Sequence, residues 1–387
     1  MKLASRMSLL GTETAFEVLA RAKALEAQGR SIVFLGIGEP DFDTPEHIIN
    51  AAKEALDSGY THYTPSPGLA EVRACIAADM SERQGYEVSA NNVLITPGAK
   101  PIMFFTILAL CEEGDEVIYP NPGFPIYESM IRFSGATPVP MPLREELDYN
   151  PDSAEIEKLF SSKTKLVIVN SPNNPCGSVM PESTQELIAR LAAKNGAVVL
   201  SDEIYKDFYY EGQHTSITKF PGMAGNSVIL DGLSKSYSMT GWRVGYGVFP
   251  DELVEPVTRL VTNSVSCTPA FGQMATIAAL TASQDSVGSM VAEFKLRRDI
   301  LVEGLNKLPG ISCPVPRGAF YAFPSIKGTG LSSQEFEQRL LDEAGVSLIS
   351  GTSFGEYGQG YVRISFANSQ ENIREALRRL DSFLAGL

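Results

Sequence analysis

The chain has few of the residues from which zinc, disulfide and nucleic-acid sites are built. It carries three histidines (His47, His62, His214) and five cysteines (Cys75, Cys111, Cys176, Cys267, Cys313) among 387 residues. The cysteines are far apart and none forms a C-x-x-C, so neither a zinc site nor a disulfide framework is expected; reduced thiols in a cytosol fit the odd, scattered count. Positive charge is also scarce. Against 46 Asp and Glu there are 32 Lys and Arg, a formal charge of −14, which argues against nucleic acid or an anionic membrane as partner. An anionic ligand stays open wherever a few basic side chains converge. No apolar run approaches the length of a membrane span, and the start, Met1 to Arg6, lacks the sustained apolar stretch of a secretory signal. A cytoplasmic protein is expected.

What is present points to a large α/β chain. Its length allows one large core and a smaller second domain. Helical periodicity runs from Glu13 to Gln28, and Ile32 to Ile37 is a short apolar segment. Thr44-Pro45-Glu46 predicts a helix start with a hydroxyl cap and proline in the first turn. Apolar strands are then predicted at Val93–Thr96, Glu116–Tyr119, Leu166–Asn170, Val198–Ser201, Val228–Leu230 and Val244–Phe249, with helices such as Pro101–Cys111 and Ser183–Lys194 between them. Near-continuous apolar strands alternating with helices imply a mostly parallel sheet covered on both faces. Past residue 280 the texture changes to a charged helix over Val291–Leu308, short strands around Ala319–Phe323, Val346–Ile349 and Tyr361–Phe366, and a final helix from Asn372. The expected division is an N-terminal segment, 1–45, joining a small α+β domain, 281–387, with a large ligand-binding domain, 46–280, between them.

Four stretches carry chemistry. Leu233-Ser234-Lys235-Ser236 follows a buried strand and leads into Gly241-Trp242-Arg243. A partly desolvated amine near another cation has a lowered pKa and can attack a carbonyl. The hydroxyl of Ser234 and the fork of Arg243 suit a phosphate beside it, although an ordinary Lys/Arg pair at a strand end reads the same way. Asn170-Ser171-Pro172-Asn173-Asn174-Pro175 is either a polar turn or a rigid mount for the Asn174 amide. Ser201-Asp202-Glu203-Ile204-Tyr205 ends another strand; a buried Asp202 needs a cationic partner, and a protonated pyridine nitrogen is one. Thr96-Pro97-Gly98-Ala99-Lys100-Pro101 turns a strand into a helix whose free N–H groups form an anion site. A phosphate cradle, a buried carboxylate, an amide with a phenol and an activated lysine together meet the needs of pyridoxal 5′-phosphate.

In this order the motifs resemble those of the class I/II aminotransferases, fold type I pyridoxal-phosphate enzymes, and above all the branch with bacterial aspartate aminotransferases. The resemblance runs from Gly38-Glu39-Pro40-Asp41-Phe42 to Val362-Arg363-Ile364-Ser365. It implies that Lys235 is the Schiff-base lysine and proton shuttle, that Asp202 pairs with the pyridinium nitrogen, and that Asn174 and Tyr205 bond the ring 3′-oxygen. Phe124 would stack on the ring. Backbone N–H groups of Ala99 and Lys100, with Ser234 and Arg243, would hold the phosphate, and Tyr63 would reach the phosphate of a neighbouring subunit in a homodimer with shared active sites. Arg363 would bind the substrate α-carboxylate, with the Gly38 backbone against the substrate. Arg363 also stands out unaided, as a lone arginine in an apolar strand, unless it faces outward from an edge.

The chain departs from the family pattern at Pro101, at Gly123-Phe124 and at Cys176, where relatives often carry Gln, an aromatic pair and Thr. These departures leave the substrate open among aspartate, aromatic, aliphatic and basic amino acids. The expected reaction is ping-pong transfer of an amino group from an L-amino acid to a 2-oxoacid. A lyase, cyclase or amino-acid oxidase on the same fold is the alternative, since motifs do not fix which bond breaks. A cofactor-sensing regulatory module would need a basic DNA-binding segment, and the acidic chain offers none.

Overall fold

The computed structural model covers residues 1–387. Twelve strands run along the chain: β1 (Val33–Phe34), β2 (Val93–Thr96), β3 (Glu116–Asn121), β4 (Thr137–Pro142), β5 (Thr164–Asn170), β6 (Val198–Asp202), β7 (Ser227–Gly232), β8 (Gly245–Val248), β9 (Tyr321–Ala322), β10 (Val346–Ser347), β11 (Ile349–Ser350) and β12 (Val362–Ser365). Seven form the main sheet in the order β2-β8-β7-β6-β5-β3-β4. All its pairings are parallel except those of β8, which runs antiparallel to both β2 and β7.

Side chains alternate across this sheet, and the alternation divides the large core in two. Leu94, Leu166, Ile168, Leu200, Val228 and Leu230 pack on one face, with Ile102 and Met103 of helix Lys100–Leu110 and with Phe294 of helix Asp285–Leu305. Val93, Ile95, Val167, Val169, Val199 and Ile229 pack on the other, against helices Glu46–Asp57, Ala70–Gln84, Glu182–Asn195 and Ala270–Thr281. Both faces are covered, so the strands read as continuous apolar runs.

Two local expectations change. Strand β4 was hidden because its sequence is Thr-Pro-Val-Pro-Met-Pro. It lies at the sheet edge, and its prolines alternate, so every missing N–H falls on the side without a neighbour. Thr44 does not cap the helix: the N-cap of Glu46–Asp57 is Pro45 and receives no side-chain bond. The Thr44 hydroxyl instead donates to the Ser238 carbonyl (2.7 Å) and accepts from the Trp242 indole N–H (3.0 Å), tying this segment to the Lys235 loop.

The C-terminal region builds two small sheets. β9, β12 and β11 pair antiparallel, and β10 pairs in parallel with β1 from the N-terminal segment. The stretch predicted as one strand over 346–349 is thus β10 and the start of β11, serving two sheets in succession. Helices Ser333–Arg339 and Gln370–Leu384 cover them, with Phe336, Ile373 and Leu380 buried.

Candidate active site

The carboxyl ends of β5, β6 and β7 open into a cavity of about 490 Å³, the place where parallel sheets of this kind bind ligands. Ala99, Lys100, Phe124, Asn174, Asp202, Tyr205, Ser234, Lys235, Arg243, Gly38 and Arg363, all singled out from the sequence, line it. Tyr63 does not; it projects from the surface at 90% exposure.

Asp202 ends β6 and is 7% exposed. Its carboxylate accepts from the Tyr127 hydroxyl (2.5 Å) and the Ile204 N–H (3.2 Å). No cation reaches it, and burial outweighs both bonds, pushing its pKa up to about 6. Asn170, at the end of β5, donates to the Asp202 carbonyl (3.1 Å) and accepts from the Asn174 N–H (2.9 Å), so one side chain sets two neighbouring motifs.

Lys235 follows β7 and donates to the Gly38 carbonyl (2.6 Å). Burial, with Arg363 and Arg243 adding like charge, brings its pKa down to about 8 against the opposing pull of Glu39 and Glu13. Gly38 approaches so closely that a Cβ there would collide with the Tyr321 hydroxyl. That hydroxyl shares a hydrogen bond of 2.7 Å with Tyr205.

Arg363 enters from β12 and is 5% exposed. Its guanidinium lies between Tyr321 (4.6 Å) and Phe354 (4.7 Å), bonds the Asn174 side-chain oxygen (3.0 Å) and the Gly36 carbonyl (2.5 Å), and keeps a buried Nε with no partner. A buried guanidinium without a carboxylate is costly, and an incoming one would supply what is missing.

Also on the cavity wall, helix Lys100–Leu110 presents its N-terminus after Gly98, whose φ is +82°. Arg243 donates to the Thr240 carbonyl (2.8 Å) and to that of Pro97 (3.4 Å), beside that helix start and near Ser234. These groups suit a phosphate. A buried carboxylate without a cation, a lysine with a lowered pKa and an anion cradle are therefore present together, and the residues fit pyridoxal 5′-phosphate.

Sequence reasoning missed Tyr127, Tyr321 and the Glu13–Phe16 segment, which also line the cavity. A tyrosine on an amphipathic helix or in an apolar strand looks like core, so Tyr127 and Tyr321 left no signal. Glu13 lies 87 residues from its partner Lys100.

A profile for aminotransferases of class I and II matches residues 30–380. An aspartate aminotransferase of Pyrococcus horikoshii is 40% identical over 99% of this chain and 97% of its own length. Aromatic-amino-acid aminotransferase 2 of Thermococcus litoralis is 37% identical over 99% of this chain and 98% of its own. Among solved structures, the aspartate aminotransferase from Thermus thermophilus with maleate superposes with a TM-score of 0.95 at 35% identity, covering 99% of this chain and 100% of that one.

Proposed function

The chain belongs to the class I and II aminotransferases, which are pyridoxal-phosphate-dependent, and from that premise we propose how its own residues carry out amino transfer between an L-amino acid and a 2-oxoacid. The observation that carries the reading is that Lys235, whose amine donates to the Gly38 carbonyl (2.6 Å) and is drawn down to about 8, shares one cavity with the buried, cation-free Asp202. When bound, pyridoxal 5′-phosphate supplies a carbonyl for the lysine and a ring that accepts electrons.

Lys235 Nζ is the amine that would hold the cofactor through its carbonyl, with loss of water, and the group that would accept and return the substrate's Cα proton. Asp202, held by Tyr127, would pair with the ring nitrogen and keep it protonated. Asn174 and Tyr205 would donate toward the ring oxygen, and Phe124 would stack on the ring. The phosphate would be held by the N–H groups of Ala99 and Lys100, the Ser234 hydroxyl and the Arg243 fork. Arg363 takes the substrate α-carboxylate, supported by its orphaned Nε, while Gly38 keeps backbone close to the substrate. Residues 46–280 are the cofactor-binding unit and 281–387 the smaller unit that carries Arg363, with 1–45 joined to the latter through β1 and β10.

The same reading makes the protein a homodimer whose Tyr63 reaches the partner's phosphate. The 90% exposed Tyr63 ring and the exposed Met7, Leu9 and Leu10 support it. A cytoplasmic setting accords with five unpaired cysteines; no helix is long and apolar enough to cross a membrane.

Borohydride reduction of the holoenzyme followed by peptide mapping tests the central assignment. The cofactor is expected on Lys235; finding it on Lys206 or Lys100 would overturn the reading. Adding single L-amino acids without a 2-oxoacid then separates the reactions. One stoichiometric spectral conversion is amino transfer, whereas accumulating ammonia, peroxide or cyclised product is the lyase, oxidase or cyclase outcome.

A further inference from the structure

Four cations line the cavity: Lys235, Arg243, Arg363 and Lys100. The function proposed above uses the side chains of the first three and only the backbone of Lys100. The Lys100 ammonium lies 5.3 Å from the centroid of the Phe124 ring. It is paired with the carboxylate of Glu13, the residue just before helix Thr14–Ala27. The Glu13 side chain is 17% exposed and that of Lys100 46%. The carboxylate is therefore the more withdrawn partner, and the one that loses more if the pair opens.

An unpaired ammonium at this place would draw in a second carboxylate on the substrate side chain. Paired with Glu13 it does not. An acidic side chain would meet the charge of Glu13 and would have to displace it from Lys100. An uncharged side chain faces no such competition and finds apolar neighbours in Ala15, Phe16, Met103 and Phe354.

We propose that Glu13 is a specificity-determining residue: by holding Lys100 it turns the side-chain wall of the cavity away from dicarboxylic amino acids and toward uncharged, apolar or aromatic ones. The inference rests on Arg363 taking the α-carboxylate, as proposed above. Specificity then arises from an opposing charge placed against the wrong substrate, as well as from contacts made to the right one.

The test compares the holoenzyme with E13Q and E13Q/K100Q. It uses half-reaction kcat/KM for L-aspartate and L-phenylalanine, and calorimetric titration with maleate, a dicarboxylate whose binding is read without turnover. The unmodified enzyme is expected to favour L-phenylalanine. In E13Q the aspartate-to-phenylalanine ratio should rise roughly 10- to 100-fold and maleate should bind more tightly by a similar factor, the worth of one charge-assisted contact. Adding K100Q should abolish both gains. An unchanged or lowered ratio in E13Q, or a gain that survives K100Q, would overturn the proposal. Failure of the underlying reading is separately visible: R363K would then leave KM for L-phenylalanine where it was.

Discussion

Two lysines near the ends of adjacent strands, Lys206 buried and Lys235 half-buried, differ in every respect that matters for chemistry. Lys206, four residues past the end of β6, sits within 3.0 Å of Asp231 and 3.2 Å of Asp207. Burial works to lower its pKa, but the two carboxylates overcome this and raise it. Lys235, after β7, has no carboxylate in contact; its one hydrogen bond goes to a carbonyl, and burial takes its pKa down to about 8. The first cluster is closed. Arg83 adds bonds to Asp79 (2.5 Å) and the Tyr246 hydroxyl (3.2 Å), and Asp207 accepts from Ser236, the residue after Lys235. The satisfied network thus anchors the loop that carries the unsatisfied amine. Charges that complete one another hold the fold, while those left incomplete, Lys235, Asp202 and Arg363, are the ones the proposed function uses.

The sharpest way to break this contrast is K235A. Transamination should fall by at least about 10⁴-fold, the scale of losing an acid–base and nucleophilic group together, in steady-state assays of the holoenzyme. Residual activity within tenfold of the parent would show that another amine does the work. K206M should do the reverse. Stranding Asp207 and Asp231 is expected to cost about 3–5 kcal/mol of stability in urea denaturation, with turnover per folded molecule within a few-fold of the parent. A cost below about 1 kcal/mol would mean the network closes without the lysine.

D202N should lower kcat by roughly 10²–10³-fold, as removing one preorganised charge from a reacting centre does, with little change in unfolding. An intact kcat would detach Asp202 from the cofactor. The smallest effect is a pH dependence. An amine with a pKa of about 8 is protonated below that value and free above it. The rate at which the apoenzyme captures pyridoxal 5′-phosphate should therefore climb about tenfold per pH unit up to 8 and flatten beyond. A rate that keeps rising to pH 10 would place Lys235 in the same class as Lys206.

Much of the site was legible because each of its groups follows a local rule. Asn170, Asp202 and Lys235 come directly after apolar strands, and Gly98 precedes a helix start. These are short patterns with physical causes of their own. Arg363 was visible as a charge in an apolar strand. The remainder was hidden for equally definite reasons. Strand β4 could not be read through its alternating prolines until its edge position supplied the explanation. Thr44 has the residue type of a cap, yet a tertiary partner at Ser238 claims its hydroxyl.

Sequence alone determined which strand ends carry the polar residues that line the cavity, because the two-residue period of a strand and the turn that follows it are set by near neighbours along the chain. It also determined that the chain is acidic and poor in histidine and cysteine. Only the tertiary structure decided that Tyr127 meets Asp202 across 75 residues, that Asn174 meets Arg363 across 189, and that Glu13 meets Lys100 across 87. Such pairs depend on the order of strands within the sheet and on where the small C-terminal sheets dock against it. That order satisfies the whole core at once, and no single segment records it.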